Sequence, residues 1–448
     1  MARLHCIIYR SETVLNRLKK EAIRMTEIRY IDGVLTGKKY KPGMEFKFNL
    51  AIPCVEDYEF GYIIEHDWQN QATVNAHLRL ADEGKAPYCV SFGVQPGVLT
   101  MPDGSKRNMR MNNYDLFDRE YGDFIVHELI PHVSEAYGIR FSDSADMHVV
   151  AGGSSGGISA FVIAWFHPDV FHRIYMSSPS FLSMGRGNEI PYLIRKYETK
   201  PFRIYQEYSE NEPNEYFGWT VGIDMEAMEG FRFANYDFEC VYFPGEGHVS
   251  RYRDENEAYK RFEWLWAGWK AAPVQAKANS ARVNEVVPFE SRWEACDSFP
   301  ETECDAPEEL LEAYDKVVLS NDGQAWYAAN VNEDVVHMFL NEEELSLDRL
   351  ILHATLHTIP HYNIKGAIDM AVDREDRLYV LTEIGVQCVR SFGLIDVILD
   401  LPDDEMPEKI AVTDALYVKT TGGIYRRKLQ EKCIFEQDEK RRHVHYYD

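Results

Sequence analysis

The chain has 448 residues and a formal net charge of −25, with 45% apolar and 27% charged residues. This balance is typical of a folded globular protein, and the length predicts two domains. The acidic charge disfavours binding to nucleic acid and to anionic membrane surfaces, because both carry negative charge.

The cysteines and the N-terminus indicate a cellular location. Cysteines are scattered along the chain without a Cys-x-x-Cys pair, which predicts reduced thiols rather than a disulfide framework. The apolar run near Met1 has only about five residues before charges resume, which is too short for a signal peptide or a membrane span. We therefore expect a cytoplasmic, soluble protein.

Strand-like and helix-like segments alternate over residues 45–270, whereas residues 1–44 are mixed and basic and have no assigned role. Short β-branched or aromatic runs that end in turn residues predict buried strands. These runs are Tyr62-Ile-Ile, Tyr88-Cys-Val-Ser-Phe, Met147-His-Val-Val-Ala, 173–176, 202–205 and 238–243.

Apolar residues at helical spacing predict helices within residues 114–137 and 158–166. A last helix opens at Asp254, with Glu257 three positions later as a capping-box partner. This alternation of strands and helices predicts an α/β domain whose sheet is mostly parallel.

Residues 271–307 are rich in Ala, Pro, Ser and Glu and are predicted to form a linker. Residues 308–430 have an all-β pattern, followed by a charged tail over 431–448. Three segments, Gln324-Ala-Trp-Tyr, Asp376-Arg-Leu-Tyr and Asp414-Ala-Leu-Tyr, resemble one another as propeller blades do. Because a few blades cannot close a propeller, we expect this partial propeller to pack on the α/β domain or on a second subunit.

The motif Val149-Val-Ala-Gly-Gly-Ser-Ser-Gly-Gly-Ile lies between a predicted strand and a predicted helix. Gly-x-Ser-x-Gly in this context predicts a nucleophile elbow, in which glycines leave room for a serine on a strained turn. Two registers fit, with Ser154 or Ser155 as nucleophile. We favour Ser154, because Gly152 directly follows the strand, and Ser155 would then donate its backbone N–H to an oxyanion.

A serine nucleophile requires a base and an orienting acid, which follow it in this order: serine, acid, histidine. His248 lies in a glycine-rich loop after the strand over 238–243, and we predict that it is the base. The segment after the strand over 202–205 contains two candidate acids. We favour Glu212, with Glu210 as the alternative.

The elbow with Trp165-Phe-His-Pro-Asp-Val-Phe-His-Arg, Tyr192-Leu-Ile-Arg-Lys, Lys200-Pro-Phe-Arg-Ile and Gly247-His248 resembles the enterochelin-esterase-like, feruloyl-esterase-related esterases. This resemblance implies an α/β-hydrolase fold over residues 45–270, with Ser154 as nucleophile and His248 as base. The family usually has Asp where this chain has Glu212. Its Asp-Gly pair beside the oxyanion hole corresponds to Asp67-Trp68 here, which implies that the Trp68 backbone contributes to that hole.

The segments Gly366-Ala-Ile-Asp-Met, Leu378-Tyr-Val-Leu-Thr and Ile424-Tyr-Arg-Arg resemble the last blades of the gluconolactonase/regucalcin propeller. The metal-binding Asp of that family aligns with Ile368, one place before Asp369. We therefore expect no metal and no cofactor, and assign this segment to packing or to substrate positioning.

These observations predict a serine esterase that forms an acyl-enzyme on a small-molecule ester, with an aryl or sugar ester as the family-level expectation. Tyr216, Phe217 and Trp219 follow the predicted acid and either line a substrate cleft or belong to the core. The alternatives are a non-catalytic binding or scaffold protein on a hydrolase frame and a metal-dependent lactonase in the C-terminal repeats.

Overall fold

The computed structural model describes residues 25–182, 187–215, 218–301, 305–359 and 366–435. One ten-stranded sheet organises the N-terminal part. Its strands are β1 (Ile28–Thr36), β2 (Met44–Pro53), β3 (Gly61–His66), β4 (Cys89–Val94), β5 (Val98–Thr100), β6 (Lys106–Asn108), β7 (His148–Gly153), β8 (Arg173–Ser177), β9 (Arg203–Asn211) and β12 (Asp237–Gly247). Strands β10 (Asn214–Glu215) and β11 (Gly218–Trp219) pair with each other in a separate two-stranded sheet.

The sheet has the order β12-β9-β8-β7-β3-β4-β2-β5-β6, and β1 pairs antiparallel with β2. The strands from β12 to β4 are parallel to one another. This confirms the predicted α/β class. The pairing of β1 also extends the sheet upstream of the predicted boundary at residue 45, because Ile28–Thr36 matches β2 over its whole length.

Helices cover both faces of the sheet, as side-chain alternation along β3 requires. Tyr62 and Ile64 belong to one apolar core, whereas Ile63 belongs to the core on the opposite face. The helices are α1 (Gln71–Asp82), α2 (Arg110–Tyr114), α3 (Glu120–Phe124), α4 (Ile130–Tyr137), α5 (Ser155–Phe166), α6 (Ile190–Lys196), α7 (Thr220–Phe233), α8 (Glu255–Trp266), α9 (Ala281–Asn284) and α10 (Glu308–Ala313), with a π-helical turn Ile125–Leu129 between α3 and α4.

Helix α8 begins where its cap predicts, since the Asp254 carboxylate accepts the N–H groups of Asn256 and Glu257. The helix predicted within residues 114–137 instead occurs in pieces, because α2 ends at Tyr114 and α3 begins at Glu120. Among the residues that the structure describes, no helix combines the length and apolarity needed to cross a bilayer.

Three separate four-stranded antiparallel sheets form the C-terminal part, and each contains one of the three predicted aromatic segments. No closed propeller is formed by these sheets within the described ranges. The strands are β14 (Lys316–Leu319), β15 (Ala325–Ala329), β16 (Val335–Leu340) and β17 (Ile351–Thr355) in the first, β18 (Asp369–Val372), β19 (Leu378–Thr382), β20 (Gly385–Val389) and β21 (Ile395–Leu399) in the second, and β13 (Glu294–Ala295), β22 (Pro407–Val412), β23 (Leu416–Thr420) and β24 (Ile424–Arg427) in the third.

The predicted linker contributes structure to this C-terminal part. Strand β13 pairs with β24, and Val283, Val286 and Val287 are fully buried in the core of the last two sheets. The polar and acidic composition of this segment predicted a linker, but its three valines lie in and just after the short helix α9 and are buried. The linker shortens to the segment between α8 and α9.

The C-terminal sheets pack directly on the α/β part, as one apolar core continues from the large sheet into the first two of them. Polar contacts reinforce this interface. The Tyr197 hydroxyl donates to the Ile384 carbonyl over 2.8 Å. The buried Arg427 guanidinium makes a bidentate ion pair with Glu198 and also donates to the Ser291 carbonyl.

We expect Arg427→Ala to lower the free energy of unfolding by about 3 kcal/mol, because it leaves the Glu198 carboxylate without its partner at a buried interface. The adjacent Arg426 is the matched control, since its ion pair with Glu294 is solvent-exposed. Arg426→Ala should cost less than about 1 kcal/mol. Equal losses in denaturant unfolding of the two variants would contradict a stabilising role for the interface ion pair.

Candidate active site

Four polar side chains directly follow the carboxyl ends of four neighbouring parallel strands. Ser154 follows β7, Ser178 follows β8, Glu212 follows β9 and His248 follows β12. Strand register aligns these ends, since Gly153 pairs with Ser177 and Asn211 pairs with Gly247. In open α/β sheets ligands bind at the carboxyl edge of the strands, and this edge is therefore the candidate site.

Ser154 occupies a sharp turn between β7 and α5, with φ of 57° and ψ of −131°. This conformation is costly for a residue with a side chain, by about 1–3 kcal/mol. The flanking glycines make it possible: a Cβ at Gly152 would lie 2.2 Å from the Gly156 carbonyl oxygen. The Ser154 N–H donates to the Ser177 carbonyl over 2.9 Å, which ties the turn to β8.

The neighbouring Ser155 is the first residue of α5, and its side chain is hydrogen-bonded to the buried Asp115. Burial raises the pKa of Asp115 to about 6, and the hydrogen bond from Ser155 opposes that rise. The Ser155 hydroxyl is therefore engaged inside the protein. Its backbone N–H is one of the first in a helix, and such groups have no intrahelical acceptor.

The Glu212 carboxylate is buried and accepts three hydrogen bonds at its two oxygens. One oxygen is bonded by His248 Nδ1, and the other by the Ser178 hydroxyl and, over 3.0 Å, by the Ser209 N–H. Burial would raise the pKa of Glu212, but these donors hold it below the usual value. A carboxylate that is ionised at neutral pH thus orients the imidazole.

The alternative acid, Glu210, lies on the exposed part of β9. Its carboxylate accepts the Gly245 N–H over 2.6 Å. The structure therefore brings Glu212, and not Glu210, into contact with His248. The difference follows from the end of β9 at Asn211. A continued strand would place both carboxylates on one face, but Glu212 lies beyond the strand and turns inwards toward Ser178.

The loop after His248 is held against the elbow. A Cβ at Gly153 would lie 3.2 Å from Val249 Cγ1, so the loop is in contact with the residue before Ser154. Val249 has φ of 50°, a value that is rare for a β-branched residue. Its N–H donates to the Ser178 hydroxyl over 3.3 Å. Ser178 therefore contacts both the acid and the loop that carries the base.

A buried ion pair anchors the far end of this loop. Arg261 makes a bidentate pair with Glu207 and donates to the carbonyls of Arg251 and Tyr252. The Tyr252 hydroxyl donates to Glu65, whose pKa is raised to about 7 by burial. These contacts satisfy loop carbonyls that would otherwise lie unpaired beneath the site.

The remaining predicted residues lie around this edge or outside the described chain. Trp68 is 59% exposed, and its N–H already donates to the His66 carbonyl over 3.1 Å. Trp219 is 56% exposed at the start of α7. Tyr216 and Phe217 lie outside the described residues.

Asp67, between β3 and Trp68, has φ of 68° and a bidentate ion pair with Arg110.

Sequence reasoning missed Ser178, Asp115 and Arg110. The position of Ser178 carried a signal, because it directly follows a predicted strand beside the elbow strand. Asp115 and Arg110 lie near a short helix far from the motif in sequence, and nothing in the spacing of these residues indicates that they approach the elbow.

Residues 63–227 match the model of a protein family described as "Putative esterase". The match covers 165 of the 448 residues, so this segment is similar to that esterase family, and the match supports a carboxylic ester hydrolase. A comparison with curated proteins found no match.

Several solved structures are similar to this chain at low identity. A ferulic acid esterase has 14% identity and a TM-score of 0.41, with 55% of this chain and 99% of that chain covered. The enterobactin esterase from Shigella flexneri in the presence of enterobactin has 15% identity and a TM-score of 0.42, with 55% and 61% covered. The siderophore hydrolase EstB from Aspergillus nidulans has 17% identity and a TM-score of 0.38, with 56% and 97% covered.

We expect Glu212→Gln to lower kcat for ester hydrolysis by at least about 100-fold, since an amide has only one acceptor oxygen for the three donors around it and supports the imidazolium poorly. Glu210→Gln is the matched control, because Glu210 lies two residues away on the exposed part of β9, where its carboxylate accepts the Gly245 N–H. It should change kcat by less than about 3-fold. A larger loss in Glu210→Gln would assign the acid to Glu210.

Proposed function

We propose that this protein is a serine esterase in which Ser154, His248 and Glu212 act as nucleophile, base and orienting acid. The observation that carries the proposal is the hydrogen bond between His248 Nδ1 and the buried Glu212 carboxylate, beside a serine in a strained elbow. Because Nδ1 faces the acid, the second ring nitrogen, Nε2, is the one left to accept a proton.

In the proposed reaction the Ser154 hydroxyl attacks the ester carbonyl while His248 Nε2 takes its proton. The tetrahedral intermediate collapses as the alcohol leaves with that proton, and an acyl-enzyme remains on Ser154. Water then attacks the acyl carbonyl, again with His248 as base, and the carboxylic acid is released. Glu212 stays ionised throughout and stabilises the imidazolium that forms in both steps.

The developing oxyanion requires N–H donors that are already oriented before the reaction. The Ser155 N–H at the start of α5 meets this requirement, and the positive end of the helix dipole adds to it. The Trp68 N–H can serve only as a shared donor, because it already donates to the His66 carbonyl. We therefore assign the larger contribution to Ser155.

We infer that the substrate carries an aromatic acyl group or a flat sugar-like group. Two tryptophan side chains, Trp68 and Trp219, are more than half exposed on segments that follow β3 and β9 at the carboxyl edge of the sheet. Exposed indole rings at a binding site gain stacking and apolar contact when a flat ligand covers them.

The first experiment compares Ser154→Ala with Ser155→Ala on a short-chain aryl ester. Ser154→Ala removes the proposed nucleophile and should lower kcat by at least about 10³-fold. Ser155→Ala retains the backbone N–H and should lower kcat by less than about 10-fold, since it removes only a hydrogen bond to Asp115. The opposite order would assign the nucleophile to Ser155, and full activity in both variants would exclude both serines as nucleophile. No hydrolysis by the unaltered chain would favour a binding protein.

The second experiment tests the substrate class with Trp219→Ala. Loss of the ring should lower kcat/KM for an aromatic acyl ester by about 10-fold and leave the acetyl ester of the same alcohol within about 2-fold. Phe392→Ala is the control, because Phe392 is 72% exposed on the C-terminal part. Equal effects of Trp219→Ala on the two esters would contradict aromatic acyl recognition.

A further inference from the structure

Asp123, His127 and His167 form a cluster that the proposed reaction does not use. Asp123 lies in α3, His127 in the π-helical turn that continues it, and His167 caps the C-terminal end of α5. Each offers one ligand atom, and the three atoms lie within 4.8 Å of one another. The cluster joins two helices that are separate in sequence.

The distances from the carboxylate to the two imidazoles are close to those expected in a tetrahedral metal site. The Asp123 Oδ1 atom lies 3.4 Å from His167 Nε2 and 3.7 Å from His127 Nε2. Around a zinc ion with ordinary bond lengths, neighbouring ligand atoms are about 3.4 Å apart. Both separations are longer than those of good hydrogen bonds, so the carboxylate does not satisfy either imidazole nitrogen well.

His167 gives an independent indication of a ligand. Its side chain is only 4% exposed, and its Nε2 atom has no hydrogen-bond partner. A buried ring nitrogen without a partner costs about 1–3 kcal/mol. A neutral imidazole with a free ring nitrogen can donate a lone pair to a metal ion.

Gly122 makes room for the ring. A Cβ at Gly122 would lie 2.9 Å from His167 Nε2, so another residue beside Asp123 would crowd this nitrogen. The π-helical turn Ile125–Leu129 is a second local irregularity at the same place. Such turns are rare inside helices and often occur at functional sites.

The neighbouring charges also favour a cation. Arg119 donates to both oxygens of Asp123 and makes a second ion pair with Asp404. The side chains of Arg119, Asp123 and Asp404 together carry a net charge of −1. An added dication is therefore attracted to this place despite the guanidinium. Ligating carboxylates are usually hydrogen-bonded from outside the metal shell in this way.

We propose that Asp123, His127 and His167 bind a divalent transition-metal ion of the zinc type. Two imidazoles and one carboxylate suit zinc, whereas magnesium and calcium prefer sites made of oxygen atoms. The site lies at the opposite end of α5 from Ser154, about 18 Å away for a helix of this length. The ion therefore fixes the helix that carries the nucleophile and takes no part in ester cleavage.

The test is calorimetric titration of Zn²⁺ into the full chain after chelator treatment and dialysis, with Mg²⁺ in a parallel titration. We expect one tight Zn²⁺ site, no comparable Mg²⁺ site, and a melting temperature that rises when Zn²⁺ is added. His127→Ala should weaken Zn²⁺ binding by at least about 10-fold and abolish the thermal shift. Because His127 is half-exposed, its truncation leaves the core intact.

His132→Ala is the matched control, as His132 lies one turn further along, in α4, and is outside the cluster. It should bind Zn²⁺ as the unaltered chain does. Asp123→Asn provides a second variant of nearly the same shape and should also weaken binding. Absence of a tight site in the unaltered chain, or equal affinity in His127→Ala and His132→Ala, would overturn the proposal. Neither result depends on whether the protein hydrolyses esters.

Discussion

The Glu212 carboxylate is the constraint on which the arrangement of the site depends. It accepts hydrogen bonds from His248, Ser178 and Ser209, which come from three different segments at the carboxyl edge of the sheet. A buried carboxylate is stable only when its oxygens are satisfied in this way. Each donor is therefore held in one place, and the imidazole is turned so that Nδ1 faces the acid.

Backbone strain is concentrated at the same edge, and the rest of the domain compensates for it. Asp67, Ser154, Ser178 and Val249 all have positive φ without being glycine. Such conformations persist only where the surrounding structure determines them. Here the register of the parallel strands and the buried ion pair of Arg261 with Glu207 hold the backbone in these conformations. The first two C-terminal sheets add a second support, as they share the apolar core of the large sheet.

The order of elements was predictable because strand and helix periodicity is local. The same holds for the elbow at Ser154, since the glycines, the strand and the helix are contiguous, and for the placement of His248 and Glu212 after late strands. The pairing of β1 was not predictable, because it depends on a long-range match with β2. The burial of Val283 and the approach of His167 to Asp123 depend on tertiary packing, for which a single sequence holds no signal.

The central claim is that one strained serine attacks the ester while His248, oriented by Glu212, moves the proton. The most direct measurement is a crystal structure of the full chain after reaction with an aryl phosphonate, which mimics the tetrahedral intermediate. The account predicts phosphorus bonded to Ser154 Oγ, a phosphonyl oxygen facing the Ser155 N–H, and His248 Nε2 within about 3 Å of the adduct. Phosphorus on another side chain, or a His248 ring out of reach of it, would contradict the account.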